Sequence, residues 1–184
     1  MLRRGFLTLG AAALLGGCVA SQDQVFAPGS TAPLRVVDVR VDATRAAARD
    51  PRGFDAPVPE VNRTIRGAAL PVLQQANASG TRPVVVELTV TQILVTNAAL
   101  ASIGSSSSTM AATAVLRDAR TDAAIGQPFG VTGSTEFRAG GLLGAAITAG
   151  ALAQRGERGE LAKAAQNMGR RVALAVFGAD PLAN

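Results

Sequence analysis

The sequence predicts an α+β domain: a four-stranded, mostly antiparallel sheet in the order β-α-β-β-β-α, with two helices packed on one face. Three observations lead to this prediction. Four segments alternate apolar and polar residues with the two-residue period of a β-strand. Two others carry apolar residues three and four positions apart, which is the spacing of one helix face. One face of two strands is polar, as expected for a sheet that is covered on one side only.

The four strands are predicted at 34–42, 83–95, 109–117 and 129–137. In the first strand, the more apolar face, which is expected to point to the core, consists of Arg35, Val37, Val39 and Val41. The apolar face of the fourth strand consists of Phe129, Val131, Gly133, Thr135 and Phe137. A turn at 118–122 and a short segment at 124–126 separate the third strand from the fourth, which favours antiparallel pairing as a hairpin or meander.

The two helices are predicted at 59–76 and 160–177. The apolar stripe of the first consists of Val61, Ile65, Ala68, Val72 and Ala76. The stripe of the second, which should dock on the sheet, consists of Leu161, Ala165, Met168, Val172, Ala175 and Val176. Three connections are expected: a long loop at 43–59, a flexible segment at 98–109 that ends in Ser105–Ser108, and a polar segment at 154–159.

The composition excludes several function classes. The chain has 184 residues and a formal net charge of +5, but it contains no histidine and one cysteine. Without imidazole, Ser-His-Asp catalysis, Cys-His catalysis and histidine-ligated zinc are excluded. The basic residues are scattered, and no Trp or Tyr is present to stack on bases, so nucleic acid is not an expected partner. We therefore expect no metal, no cofactor and no enzymatic activity.

The N-terminus has the pattern of an export signal. Arg3 and Arg4 precede an apolar run at 6–15, which is about half of the ~20 residues that a membrane-spanning helix needs. The run ends in four residues that resemble the lipobox of bacterial lipoproteins: Leu15, Gly16, Gly17 and Cys18. This resemblance implies a diacylglycerol on the sulfur of Cys18, cleavage before that residue, and a further acyl chain, such as palmitate, on the new amino group.

The lipobox divides the chain into a signal peptide at 1–17, a flexible tether at 18–33 and a single domain at 34–180. Two or three acyl chains anchor a protein stably, whereas one does so only marginally. Val19 follows the cysteine, and lipoproteins without aspartate at that position are commonly sorted to the outer membrane. We therefore expect a lipid anchor at the periplasmic face of the outer membrane.

A second apolar segment, Gly140–Ala153, lies before the last helix. Gly140 and Gly144 are four residues apart, a pattern that favours close contact with another helix or with a membrane. The alternative is a connection that covers the core, since the segment is too short to span a bilayer and its glycines weaken a helix. The sequence leaves both alternatives open.

Two features resemble known lipoproteins. Val25-Phe26-Ala27-Pro28, followed by Leu34–Val39, resembles an alphaproteobacterial lipoprotein family without an assigned activity. The order of elements is similar to that of small outer-membrane accessory lipoproteins, including auxiliary lipoproteins of ABC-type lipid transport and lipopolysaccharide-assembly lipoproteins. The resemblance implies an accessory role in the cell envelope and supplies no catalytic residues.

Three functional hypotheses follow. The first is a non-enzymatic lipoprotein that binds an envelope partner in outer-membrane assembly, transport or secretion. Its expected docking face consists of Glu87, Thr89, Thr91, Thr132, Ser134 and Glu136. The second is a lipoprotein that holds a lipid or a small apolar ligand between helices and sheet. The third is an enzyme that uses the carboxylates of Asp38, Asp42 or Glu87, although acids at strand ends are more often solvated or paired with arginine. The partner and the oligomeric state stay open.

Overall fold

The computed structural model describes residues 25–49, 56–96, 107–135 and 142–182. The elements are β1 (Leu34–Asp42), α1 (Thr44–Arg49), α2 (Val58–Ala76), β2 (Arg82–Leu94), β3 (Thr109–Asp118), β4 (Ala124–Ser134) and α3 (Leu142–Phe177). They form an α+β fold in which one four-stranded sheet carries the helices. The predicted fold class is confirmed.

The strands lie in the order β1-β2-β3-β4. β1 and β2 are parallel, because α2 lies between them and returns the chain to the end of the sheet where β1 begins. β2 and β3 pair antiparallel, and so do β3 and β4. β1, β2 and β4 therefore run in one direction. The turn between β3 and β4 and the start of β1 lie at the same end of the sheet, which we call the hairpin end.

β1 contains a bulge that changes which of its residues face the core. The pairing with β2 shifts between Val36 and Asp38, so Val36 and Val39 are 2% and 0% exposed whereas Val37 is 36% exposed. The predicted core face of this strand is therefore wrong at Arg35 and Val37, which are exposed, and right at Val39. An inserted residue reverses the alternation, and simple periodicity does not anticipate it.

The helices pack on one face of the sheet. From α2, Ile65 and Leu73 are buried, and from β2, Val86 and Leu88 are buried in the same core cluster. The whole stripe predicted for the last helix is 3% exposed or less: Leu161, Ala165, Met168, Val172, Ala175 and Val176. That prediction is confirmed, because a helix on a one-sided sheet can bury only the stripe that faces it.

The segment predicted as a long loop contains the short helix α1. Two side chains satisfy the backbone around its start: the Asp42 carboxylate accepts from the Thr44 N–H at 2.9 Å, and the Asn62 side chain accepts from the Ala43 N–H at 3.0 Å. Ala43 and Ala46 are buried against the core. Their small side chains let the segment pack closely, a signal too weak to separate helix from loop in the sequence.

Helix α3 is longer than predicted and has a break. It begins at Leu142, within the apolar segment Gly140–Ala153, and continues through the segment predicted as a polar connection. Gly156 has φ 64° and ψ 174°, a non-helical conformation that glycine adopts without steric strain, so the chain changes direction there. Among the helices described, none is both long and apolar enough to cross a membrane.

Residues 25–33, which the sequence assigns to the tether, pack on the domain at its hairpin end. The Val25 N–H donates to the carbonyl of Ala175 at 2.8 Å, and the Thr31 hydroxyl donates to that of Val176 at 2.7 Å. The Phe26 ring meets Phe129 edge-on, with centroids 6.2 Å apart. One partly buried aromatic ring and two hydrogen bonds to backbone carbonyls of α3 explain why this proline-containing segment packs against the core.

We predict that Gly133→Ala destabilises the domain, because β4 and α3 are in close contact at this glycine. A Cβ at Gly133 would lie 2.2 Å from the Ala164 carbonyl oxygen and 2.7 Å from the Met168 Cβ. Overpacking of this kind costs about 1–3 kcal/mol of unfolding free energy, measurable by urea denaturation. The control is Gly130→Ala on the other face of β4, where a Cβ meets nothing within 4 Å. Equal stabilities of the two variants would contradict the prediction.

Candidate docking face

The sheet has an open face, which we define as the side away from α2 and α3. Across its middle, the register aligns Asp42, Thr89, Thr113 and Gly130, one residue from each strand. Thr89 and Thr113 are half-buried by their strand neighbours, and Gly130 is exposed. Because these side chains are short, this region of the open face is flat.

Four of the six residues predicted to form the docking face occupy regular positions on the open face. Glu87 and Thr89 lie on β2, and Thr132 and Ser134 lie on β4. β3 separates the two pairs, so they stand two strands apart on one surface. Glu136 lies outside the described residues.

Thr91, the fifth predicted docking-face residue, forms a side-chain hydrogen bond within the sheet. The pairing of β2 with β3 shifts between Val90 and Gln92, which places Thr91 in a bulge. Its hydroxyl donates to the Ala111 carbonyl at 3.2 Å, and Gln92 takes the paired position opposite Ala111. Gln92 is exposed, so at this level of the sheet it is the side chain available to a partner.

Four charged side chains that lie together border the open face. The Glu87 carboxylate forms an ion pair with Arg117 on β3, and Arg117 also donates to the Asp122 carbonyl at 3.0 Å. Arg40 on β1 pairs with the Asp122 carboxylate at 2.6 Å. The hydrogen bond and the charge of Glu87 raise the pKa of Arg117. The group is electrically balanced, and its exposed pairs add little to stability.

The three carboxylates of the enzyme hypothesis are each engaged by a different donor. Asp38 accepts two hydrogen bonds from Arg66, at 2.7 and 2.9 Å, and Glu87 is paired with Arg117. Hydrogen bonds from the Thr44 side chain and backbone lower the pKa of Asp42. Within the described ranges, no three acidic or cysteine side chains are grouped to hold a metal ion.

A buried polar cluster lies at the sheet end opposite the hairpin end, and consists of Thr96, Ser108, Thr135 and Glu160. All four are 3% exposed or less. The Ser108 hydroxyl accepts from the Thr96 N–H at 3.0 Å and donates to the Glu160 carboxylate at 3.3 Å. The Ser108 N–H donates to the Thr135 hydroxyl, and the Thr135 N–H donates to the Ser108 carbonyl. Both of these hydrogen bonds are 2.9 Å long.

The polar cluster joins the end of β2, the start of β3, the end of β4 and α3. Buried polar groups are stable only when they are hydrogen-bonded, so each member depends on the others. The sequence does not predict this role, because Ser108 closes a serine run that is typical of a flexible connection. Its position directly before a strand is the only signal that separates it from the other serines.

No protein-family model matches the sequence, and no curated protein matches it either. The fold is partly similar to a provisionally named lipoprotein from Caulobacter crescentus CB15, at 13% identity over 74% of this chain and 85% of that one, with a TM-score of 0.36. It is also partly similar to PelC from Paraburkholderia phytofirmans, solved as a dodecamer, at 11% identity over 74% and 87%, with a TM-score of 0.33. These TM-scores assign neither a family nor a function.

We predict that Ser108→Ala lowers the free energy of unfolding by about 1–3 kcal/mol, since it leaves the buried Thr96 N–H without an acceptor and removes a donor from Glu160. Urea denaturation measures the change. Ser107→Ala is the matched control, because this neighbour is half-exposed and should change stability by less than about 0.5 kcal/mol. A Ser108→Ala variant with the same free energy of unfolding as the control would show that the cluster does not stabilise the fold.

Proposed function

We propose that this chain is a lipid-anchored cell-envelope protein that binds a protein partner through the open face of its sheet and catalyses no reaction. The observation that carries the proposal is the asymmetry of the sheet. One face is closed by α2 and α3, whereas the other presents short, half-exposed side chains. The lipobox that ends in Cys18 supplies the anchor in this proposal.

The open face has the properties of a transient protein-binding surface. Its backbone is held by the strand pairing, so binding of a partner there carries no entropic cost of ordering a loop. The large exposed apolar side chains of the described residues, Val25, Val37 and Leu182, are dispersed and do not form one apolar patch. A polar surface of this kind suits non-obligate association, as expected of an accessory component in outer-membrane assembly, transport or secretion.

The proposed anchor keeps the domain near the membrane. Val25 is already bound to the domain, so residues 18–24 alone connect it to the lipid. Seven extended residues reach about 25 Å. The partner in this proposal is therefore a protein of the same membrane or one that comes within that distance of it.

The ligand-binding alternative has less support. A lipid between helices and sheet would have to displace Ile65, Leu88, Leu161 and Met168, each fully buried. Opening a packed core in this way costs several kcal/mol unless the ligand restores the lost contacts.

We predict that Cys18→Ser moves the protein from the membrane fraction to the soluble fraction, because the serine oxygen does not receive the diacylglycerol. The domain should keep its circular dichroism spectrum and its unfolding midpoint, since Cys18 precedes the described domain. Ser21→Ala is the control and should remain membrane-bound. A Cys18→Ser protein that still sediments with the membrane would contradict the lipid anchor. The proposed docking face would be unaffected by that result.

We predict that a photoreactive side chain at Thr113, in the middle of the open face, crosslinks to one protein of defined mass in intact cells. The same group at Gln74, exposed on α2, should give no such product. Thr113→Arg should fold normally but remove the crosslink formed from a second open-face position, Gln92. Crosslinks of equal yield from Thr113 and Gln74, or none from either, would contradict the docking face.

A further inference from the structure

We propose that the outer edge of β4, which pairs with no strand among the described residues, binds an extended acidic peptide segment of a protein as a fifth strand, together with the cleft between this strand and α3. This surface adjoins the open face along β4, but it uses the backbone edge of the sheet instead of its side-chain face. The proposal does not depend on the lipid anchor.

The hydrogen-bond pattern identifies which backbone groups of β4 point outward. The Thr135 N–H donates to the Ser108 carbonyl, so odd-numbered residues of β4 from Phe129 onward bond to β3. The N–H and C=O groups of Gly130, Thr132 and Ser134 therefore point away from the sheet. The Ser134 carbonyl accepts from the Asn167 side chain at 2.6 Å, as this pattern requires.

The two edges of the sheet differ in how they resist strand addition. β1 carries a bulge and an alternating series of charged side chains, both of which prevent unwanted pairing. β4 contains Pro128, but only in the irregular part of the strand before Phe129. The stretch Phe129–Ser134 has no proline, no charged side chain and no register shift. It is a regular edge that an extended segment can pair with.

A cleft of about 390 Å³ runs beside this edge. Its lining includes Thr132 and Ser134 from the strand, and Asn167, Arg170, Arg171 and Asp180. Asn167, Arg170 and Arg171 are three and four residues apart on α3, so they share one helix face toward the cleft. A strand added to β4 would lie about 4.8 Å from it, with its side chains beside these polar groups.

The charges of the cleft favour an acidic segment. Arg170 and Asp180 neutralise each other through hydrogen bonds at 2.9 and 3.1 Å and an ion pair, and the bond from Arg170 lowers the pKa of Asp180. Arg171 is exposed and acts on Asp180 through its charge, whereas the hydrogen bonds to that carboxylate come from Arg170. Among the described residues that line the cleft, two arginines therefore face one aspartate. A carboxylate of the bound segment would form a charge-assisted hydrogen bond with Arg171.

The test selects ligands for the protein purified from its cells in detergent, from a random decapeptide library displayed on phage. We expect enrichment of sequences that combine Asp or Glu with β-branched residues. Arg171→Gln should weaken binding of an enriched peptide about tenfold, the usual loss for a hydrogen bond to a charged group. Arg120→Gln is the matched control and should have no effect, because Arg120 lies in the exposed β3–β4 turn.

Two further measurements examine the strand addition itself. Thr132→Pro removes an outward N–H that β3 does not use, so the sheet should form while peptide binding is lost. In the unmodified protein, hydrogen exchange at the Thr132 amide should slow on peptide binding. This measurement tests strand addition even if the proline variant does not fold. No enrichment, or binding that is indifferent to Arg171→Gln and leaves Thr132 exchange unchanged, would overturn the proposal. Binding lost in Thr113→Arg alone would assign the peptide to the open face instead.

Discussion

The close contact of α3 with β4 at Gly133 is the interaction on which the arrangement of the domain depends. The helix backbone lies so near this glycine that no side chain fits between them. The contact lets the fully buried Met168 reach the core, and it places Asn167 close enough to bond the Ser134 carbonyl. With α2 packed beside α3, one face of the sheet is closed along its length. In the described part of the chain the two long helices both pack on this face, and the middle of the other face carries the short side chains of Thr89 and Thr113.

The proposed open-face site and the proposed edge site use the same strand in different ways. On the open face, the side chains of Thr132 and Ser134 would contact a partner, whereas at the edge their outward backbone groups and the cleft would do so. The two surfaces meet at β4, but one recognises a folded surface and the other an extended segment. A tethered accessory protein with both could hold a folded partner and a peptide from a second protein at once. The balanced charges around Glu87 and Arg117 and the excess charge at Arg171 favour different partners at the two places.

The polar cluster around Ser108 lies at the sheet end from which the β2–β3 and β4–α3 connections leave. Thr96 lies in the β2–β3 connection, and Thr135 lies at the start of the β4–α3 connection. Glu160 lies in α3, four residues after the break at Gly156. Hydrogen bonds among residues that are 3% exposed or less specify this geometry more strictly than apolar packing does, because an unpaired buried polar atom is costly. At the hairpin end, Phe26 and Thr31 provide the comparable restraint. Both ends of the open face are therefore held in place.

Residue patterns with a local cause could be read directly from the sequence. The two-residue alternation of β2, β3 and β4 and the stripe from Leu161 to Val176 follow from burial on one side, so the fold class, the strand order in the chain and most of the core were predictable. The lipobox is equally local, and it remains a prediction. The tertiary structure alone decided the bulge that buries Val36 and Val39 together, the role of Ser108, the packing of residues 25–33 and the cleft beside Arg171. Each of these depends on contacts between residues distant in the chain, and periodicity carries no information about such contacts.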